Sequence, residues 1–307
     1  MSLPLFSYPV TIVWIDDDPL FLASVIQLLK NARVISFNSP DESIRFFQQY
    51  QPLLQKINFM RGCAEIDGYD TLNRMPVDLN VSALKELYGN DERNEEITVL
   101  VVDYNMPNMN GIDLCRELRS LPMKKILLTG TADHQQAVQA FNEGLIDCFI
   151  QKDSETLTQD ILLHLNRLSK QYFVDRSRNL LSHLETDHSL PLSDPIFITF
   201  FEDFCKKHEI QEYYLIDKNG NFLLINKEDK RSYFIVHTDR TLNDFIELHQ
   251  DDMENGSFIR AVELRKEIPF FGEGVESRQL QPSQWNSCFY LPQILQGRQT
   301  YYWAIAN

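Results

Sequence analysis

A doubly wound α/β sheet followed by a smaller α+β unit is the fold class that this sequence predicts. Three observations predict it. Short β-branched apolar runs alternate with helical stretches through the first half of the chain. Most of these runs end at a polar residue able to do chemistry. Beyond about residue 190 the pattern changes to hairpin-spaced strands flanked by helices. At 307 residues the chain is long enough for two units, each with its own core.

The elements follow in order. Val10–Ile15 (VTIVWI) reads as a strand buried on both faces. It ends in Asp16-Asp17-Asp18-Pro19. The proline suits a first helical turn, and Leu20, Phe21, Val25, Leu28 and Leu29 recur behind it at helical spacing. Asp18 is the expected helix cap and not a ligand. Arg33–Phe37 is a second strand, and Asn38–Asp41 caps a second helix carrying Ile44, Phe46 and Phe47. Ile97–Val102 is a third buried strand ending at Asp103, followed by a helix over Gly111–Leu118. Lys125–Leu128 is a fourth, ending at Thr129-Gly130, with a helix over Ala132–Asn142. Cys148–Ile150 is a fifth, followed closely by Lys152. From Ser154 to about Glu185 the stripe Leu157, Ile161, Leu165, Leu168, Tyr172 marks one long helix. Leu180, Leu181 and Leu184 extend that stripe as a possible dimer contact.

Composition excludes several classes. No apolar run approaches the ~20 residues that cross a bilayer, and the N-terminus lacks a basic region followed by an apolar one. Cys63, Cys115, Cys148, Cys205 and Cys288 show neither zinc nor disulfide spacing, so a reduced cytoplasmic setting is expected. Net charge is -15. After residue 174 there are 14 Lys and Arg against 21 Asp and Glu, and before it 15 against 23. Neither half is basic, which disfavours nucleic-acid binding as the main task. The histidines, His183 and His188 included, and the acids Asp67 and Asp70 show no metal spacing.

In a doubly wound sheet, ligands bind beyond the carboxyl ends of the strands, where strand order reverses. Asp16, Asp17, Asp103, Thr129 and Lys152 all arrive at that edge. Clustered carboxylates repel one another unless a cation sits among them, and hard oxygen donors suit Mg²⁺. An ionised aspartate can attack phosphorus to form an aspartyl phosphate. Lys152 and the Thr129 hydroxyl could hold the remaining phosphoryl oxygens.

Asp16-Asp17, the segment Asp103-Tyr104-Asn105-Met106-Pro107-Asn108-Met109-Asn110-Gly111, Thr129-Gly130 and Phe149-Ile150-Gln151-Lys152 together resemble the CheY-like receiver domain of bacterial two-component response regulators. The resemblance covers roughly residues 9–170. It implies a flavodoxin-like five-stranded sheet of order 2-1-3-4-5, with Asp103 as phosphoacceptor. It implies Mg²⁺ held by Asp17, Asp103 and the backbone carbonyl of Asn105, with Asp16 acting through water. Thr129 and Lys152 would contact phosphate, Thr129 and Phe149 would act as switch residues, and the donor would be a histidine kinase or phosphotransfer protein. Two departures stand out: Asp153 replaces a frequent proline, and about 51–96 is an insertion, in which Val81–Tyr88 is an expected helix.

The expected domains are a receiver over 1–170 with that insertion, a helical linker over 171–189, and an α+β output domain over 190–307. In the last, a helix over Ile196–His208, the hairpin Tyr213–Asp217 and Phe222–Asn226 around Asn219-Gly220, a strand over Arg231–His237, a helix over Leu242–His249 and a strand over Tyr301–Ile305 resemble a PAS-type sensor or adaptor module. The output domain shows no catalytic motif. The alternatives are an enzyme or sensor for a nucleotide second messenger, or a transcriptional regulator.

Overall fold

The computed structural model describes residues 3–30, 32–62, 77–184, 191–250, 256–275 and 277–307. The chain divides into two units: one holds residues 8–57 and 90–176, the other 1–7, 58–89 and 177–307. Cys63, Asp67, Asp70, His188 and part of the expected linker lie outside the described residues.

The first unit is a parallel sheet of β1 (Thr11–Ile15), β2 (Arg33–Phe37), β3 (Ile97–Asp103), β4 (Lys124–Thr129) and β5 (Cys148–Gln151). Their order is β2-β1-β3-β4-β5, the flavodoxin-like order expected. The helices are α1 (Pro19–Leu28), α2 (Pro40–Gln49), α3 (Gly111–Glu117), α4 (His134–Asn142) and α5 (Leu157–Leu184). Alternation along the strands fixes two cores, because successive side chains point to opposite faces. Ile12, Trp14, Val99, Val101, Ile126 and Leu128 pack with Leu22 and Val25 of α1 and Ile161, Leu165 and Leu168 of α5. Val13, Ile15, Leu100, Val102 and Leu127 pack with Phe47, Leu114 and Ala137 of α2, α3 and α4. β1 and β3 are buried at every position, so apart from Thr11, Thr98 and the terminal Asp103 they are apolar rather than alternating.

The second unit is a six-stranded antiparallel sheet. Its strands are Phe6–Ser7, β6 (Ile210–Leu215), β7 (Phe222–Asn226), β8 (Arg231–Thr238), β9 (Gln293–Gln296) and β10 (Thr300–Ala306). They run in the order Phe6–Ser7, β6, β7, β8, β10, β9. Helix α6 (Pro195–Lys207) lays aromatic rings on this sheet, Phe201 on Phe222 at 4.7 Å and Phe204 on Trp303 at 5.7 Å. Helices α7 (Asp239–His249) and α8 (Gly256–Glu263) contribute Leu242 and Val262 to a core with Ile235, Ile268, Tyr302 and Ala304.

The domain boundaries expected from sequence need correcting. Residues 1–7 were assigned to the receiver, yet Phe6–Ser7 pairs with Tyr214 and Tyr213 of β6. The helix Val81–Tyr88 forms as expected, but the Tyr88 ring packs tilted against Tyr214 at 5.5 Å and its hydroxyl donates to the Glu273 carboxylate at 2.8 Å. Lys85 pairs with the same carboxylate at 3.3 Å. Most of the insertion is therefore part of the second unit, because its apolar residues Ala83, Leu84 and Leu87 are buried there. The expected linker is also altered: residues 171–184 are continuous with α5, and the unit boundary falls inside that helix, after Arg176. No helix among the described residues is long and apolar enough to cross a membrane.

Candidate functional site

The reversal in strand order lies between β1 and β3, so the crevice opens where these two strands end. β1 is followed by Asp16 and Asp17, and β3 ends on Asp103. Carboxylate oxygens of all three lie within 4.8 Å of one another. Asp16 is fully buried and Asp103 is 5% exposed, whereas Asp17 faces solvent. Asp16 also accepts a hydrogen bond from the Asp18 amide at 3.0 Å. Asp18 itself caps α1, accepting from the amides of Leu20 and Phe21.

β5 delivers the cation. Its pairing with β4 sets Gln151 opposite Thr129, and the Lys152 amide donates to the Thr129 carbonyl at 2.9 Å. The Lys152 ammonium then lies 2.7 Å from Asp16 Oδ2 and 2.9 Å from Asp103 Oδ1. It also sits over the Phe21 ring, 4.8 Å from the centroid. The Thr129 hydroxyl is buried at the end of β4 and has no hydrogen-bond partner among the described residues. A buried hydroxyl without a protein partner is able to bond a ligand atom.

The charges do not cancel: three carboxylates face one ammonium. Burial raises the Asp103 pKa above the usual carboxylate range. Lys152 opposes that rise, and the neighbouring Asp16 and Asp17 add to it. Burial alone would lower the Lys152 pKa, but its bonds to Asp16 and Asp103 more than offset this and raise it. The pocket thus suits a divalent cation chemically, since excess carboxylate and hard oxygen donors are what Mg²⁺ selects.

The loop after β3 is shaped by contact. The Tyr104 amide donates to Leu128 at 2.8 Å, and the Gly111 amide donates to the Tyr104 carbonyl at 2.9 Å. A Cβ at position 111 would lie 2.3 Å from the Asp103 carbonyl oxygen. Glycine is thus required there for close approach, and the positive φ in this loop belongs to Asn108, at 70°. Asn105 donates from its side chain to Asp133 at 2.8 Å. Phe149 is half-buried with its ring 5.2 Å from that of His134. Asp153, in place of the frequent proline, accepts from the Thr131 hydroxyl at 2.5 Å and so ties the β5 loop to the β4 loop.

Of the residues expected at the site, Asp16, Asp17, Asp103 and Lys152 meet directly, and Thr129 ends the adjoining strand. Sequence reasoning missed Phe21 as a partner of Lys152, Asp133 as a partner of Asn105, and the Thr131–Asp153 bond. Phe21 had read as one apolar position of α1, and no spacing rule points it at a lysine far along the chain.

The family model described as the response regulator receiver domain matches residues 77–162. Within that stretch the chain carries a receiver domain of the response-regulator kind. The match begins beyond β1, so Asp16 and Asp17 join the site through geometry. The chain is similar to the transcriptional regulatory protein FixJ of Rhizobium meliloti (strain 1021), 29% identical over 154 residues, 48% of this chain and 68% of that protein. Among solved structures it is similar to the Legionella pneumophila response regulator LqsR, with 28% identity and a TM-score of 0.78 over 99% of this chain and 89% of that one.

Proposed function

We propose that this protein accepts a phosphoryl group on Asp103 in a Mg²⁺-dependent reaction, from a histidine kinase or histidine phosphotransfer protein. The observation that carries this reading is the Lys152 ammonium held within 3 Å of both Asp16 and Asp103 in a pocket with three carboxylates. An Asp103 carboxylate oxygen attacks phosphorus, the O–P bond forms as the donor's N–P bond breaks, and the released imidazole takes up a proton. Mg²⁺ held by Asp16, Asp17, Asp103 and Asn105 would neutralise the phosphoryl oxygens during transfer. Lys152 then exchanges one carboxylate partner for the phosphoryl group, and Thr129 donates its unused hydroxyl proton. Thr129 and Phe149 are the switch residues of this reading, which places the protein in the cytoplasm. The signal passes to the second unit as a non-DNA-binding output, with α5 as the candidate contact for a homodimer.

Acetyl phosphate with Mg²⁺ should add one phosphoryl group to the wild type, and Asp103→Asn should add none, as read by intact mass. Undiminished labelling of the variant would move the phosphoacceptor elsewhere.

A further inference from the structure

The second unit contains a cavity of about 610 Å³, bounded by the β6–β7 turn, β8, α7, the segment 269–275 and Ser277. That volume fits a small organic molecule. Its polar lining is rich in hydrogen-bond acceptors. His237 is 8% exposed, and its Nε2 lies 2.8 Å from the Pro269 carbonyl, which can only accept, so Nε2 carries the proton. Burial lowers the His237 pKa and keeps the ring neutral, leaving Nδ1 as an acceptor 3.2 Å from the Thr241 hydroxyl. Thr241 Oγ1 already accepts from the Thr238 amide at 2.9 Å, and the Thr238 carbonyl lies 3.1 Å away. The hydroxyl proton of Thr241 is thus divided between that carbonyl and Nδ1, and the ring presents an acceptor, not a donor, on its Nδ1 side.

The remaining lining points to the same ligand chemistry. Asp244 and Asp217, the latter already accepting from Asn219 and Asn221, line the cavity with two carboxylates against the single ammonium of Lys218. Phe245 and Phe271, stacked at 6.0 Å, supply an aromatic wall.

We propose that this cavity is a binding site for a small molecule with an apolar or aromatic body and a cationic, hydrogen-bond-donating head, such as an arylalkylamine, and that it rejects anions. The inference goes beyond the phosphoacceptor reading and does not depend on it.

The test titrates phenethylamine and phenylacetate, alike in ring and opposite in charge, into the full-length protein by saturation-transfer NMR. Phenethylamine should saturate the site and bind about tenfold more tightly than phenylacetate, a ratio one well-placed carboxylate can supply. Asp244→Asn, at an exposed helical position, should reduce that ratio about threefold or more. Leu248→Trp fills the cavity from a rim residue that is 50% exposed and should abolish binding, with the near-ultraviolet circular dichroism otherwise retained. Absence of saturable phenethylamine binding would overturn the proposal, as would equal or tighter binding of phenylacetate. A ratio unchanged by Asp244→Asn, or full binding to a folded Leu248→Trp, would overturn it as well.

Discussion

Lys152 touches two carboxylates that the proposed chemistry needs for other purposes. Its ammonium competes with any cation entering the cluster, so Lys152→Ala should leave Mg²⁺ affinity unchanged or raise it, while weakening the response to phosphorylation. Trp14, two residues before Asp16 on β1, offers a fluorescence reporter for that titration; a large loss of affinity would show the lysine to be holding the carboxylates in place. A second buried acid sits outside the pocket. Glu96 is 1% exposed, accepts from the Leu53 amide at 2.7 Å and from the Tyr172 hydroxyl, and is raised in pKa chiefly by burial, against the pull of those bonds and of Arg176. A raised carboxyl pKa means that the folded state holds the proton more tightly. Its stabilising effect is therefore full below the ordinary Glu value of about 4.3 and is lost as pH rises through the raised value. Relative to Glu96→Gln, the wild type should become less stable in urea unfolding as pH rises above about 4.3. A gap independent of pH would place the Glu96 pKa in the folded state close to its unfolded value.

At the scale of the element, the helix Val81–Tyr88 is too short to be stable alone and depends on its buried face. Leu87 is fully buried in the second unit. Leu87→Ala should cost about 2–5 kcal/mol there, the usual range for a buried leucine. Urea unfolding followed by two probes should then separate, with the second unit melting early and beryllofluoride-dependent Mg²⁺ binding at Asp103 surviving longer. Coincident loss of both signals would show that the two units unfold as one. The same helix illustrates what sequence patterns convey. Its existence was legible from Val81–Tyr88 alone, but its destination was not, because helical periodicity says that a face is buried and not which surface buries it.

Across the whole molecule, legibility follows the range of the interactions. The five strands of the first unit read clearly because parallel strands buried on both faces carry their own apolar signature, and Asp103 ends one of them while Lys152 directly follows another. Phe6–Ser7 is two residues long and pairs with a strand some two hundred positions away, so nothing local marks it. β9 is exposed at three of four positions and lacks an apolar pattern altogether. The segment 190–307 expressed alone should accordingly be unfolded or aggregated, since it lacks the Phe6–Ser7 edge strand and the Val81–Tyr88 helix. A dispersed amide NMR spectrum from that fragment would show those pieces to be dispensable.

The backbone passes between the two units after Ser7, Ile57, Gly89 and Arg176. A receiver in this arrangement is not a cassette. Shuffling by a single crossover would import half of one unit with half of the other, so any working chimaera must exchange two separate stretches of gene at once. Truncations from either end will likewise register as silenced signalling when the damage is to folding.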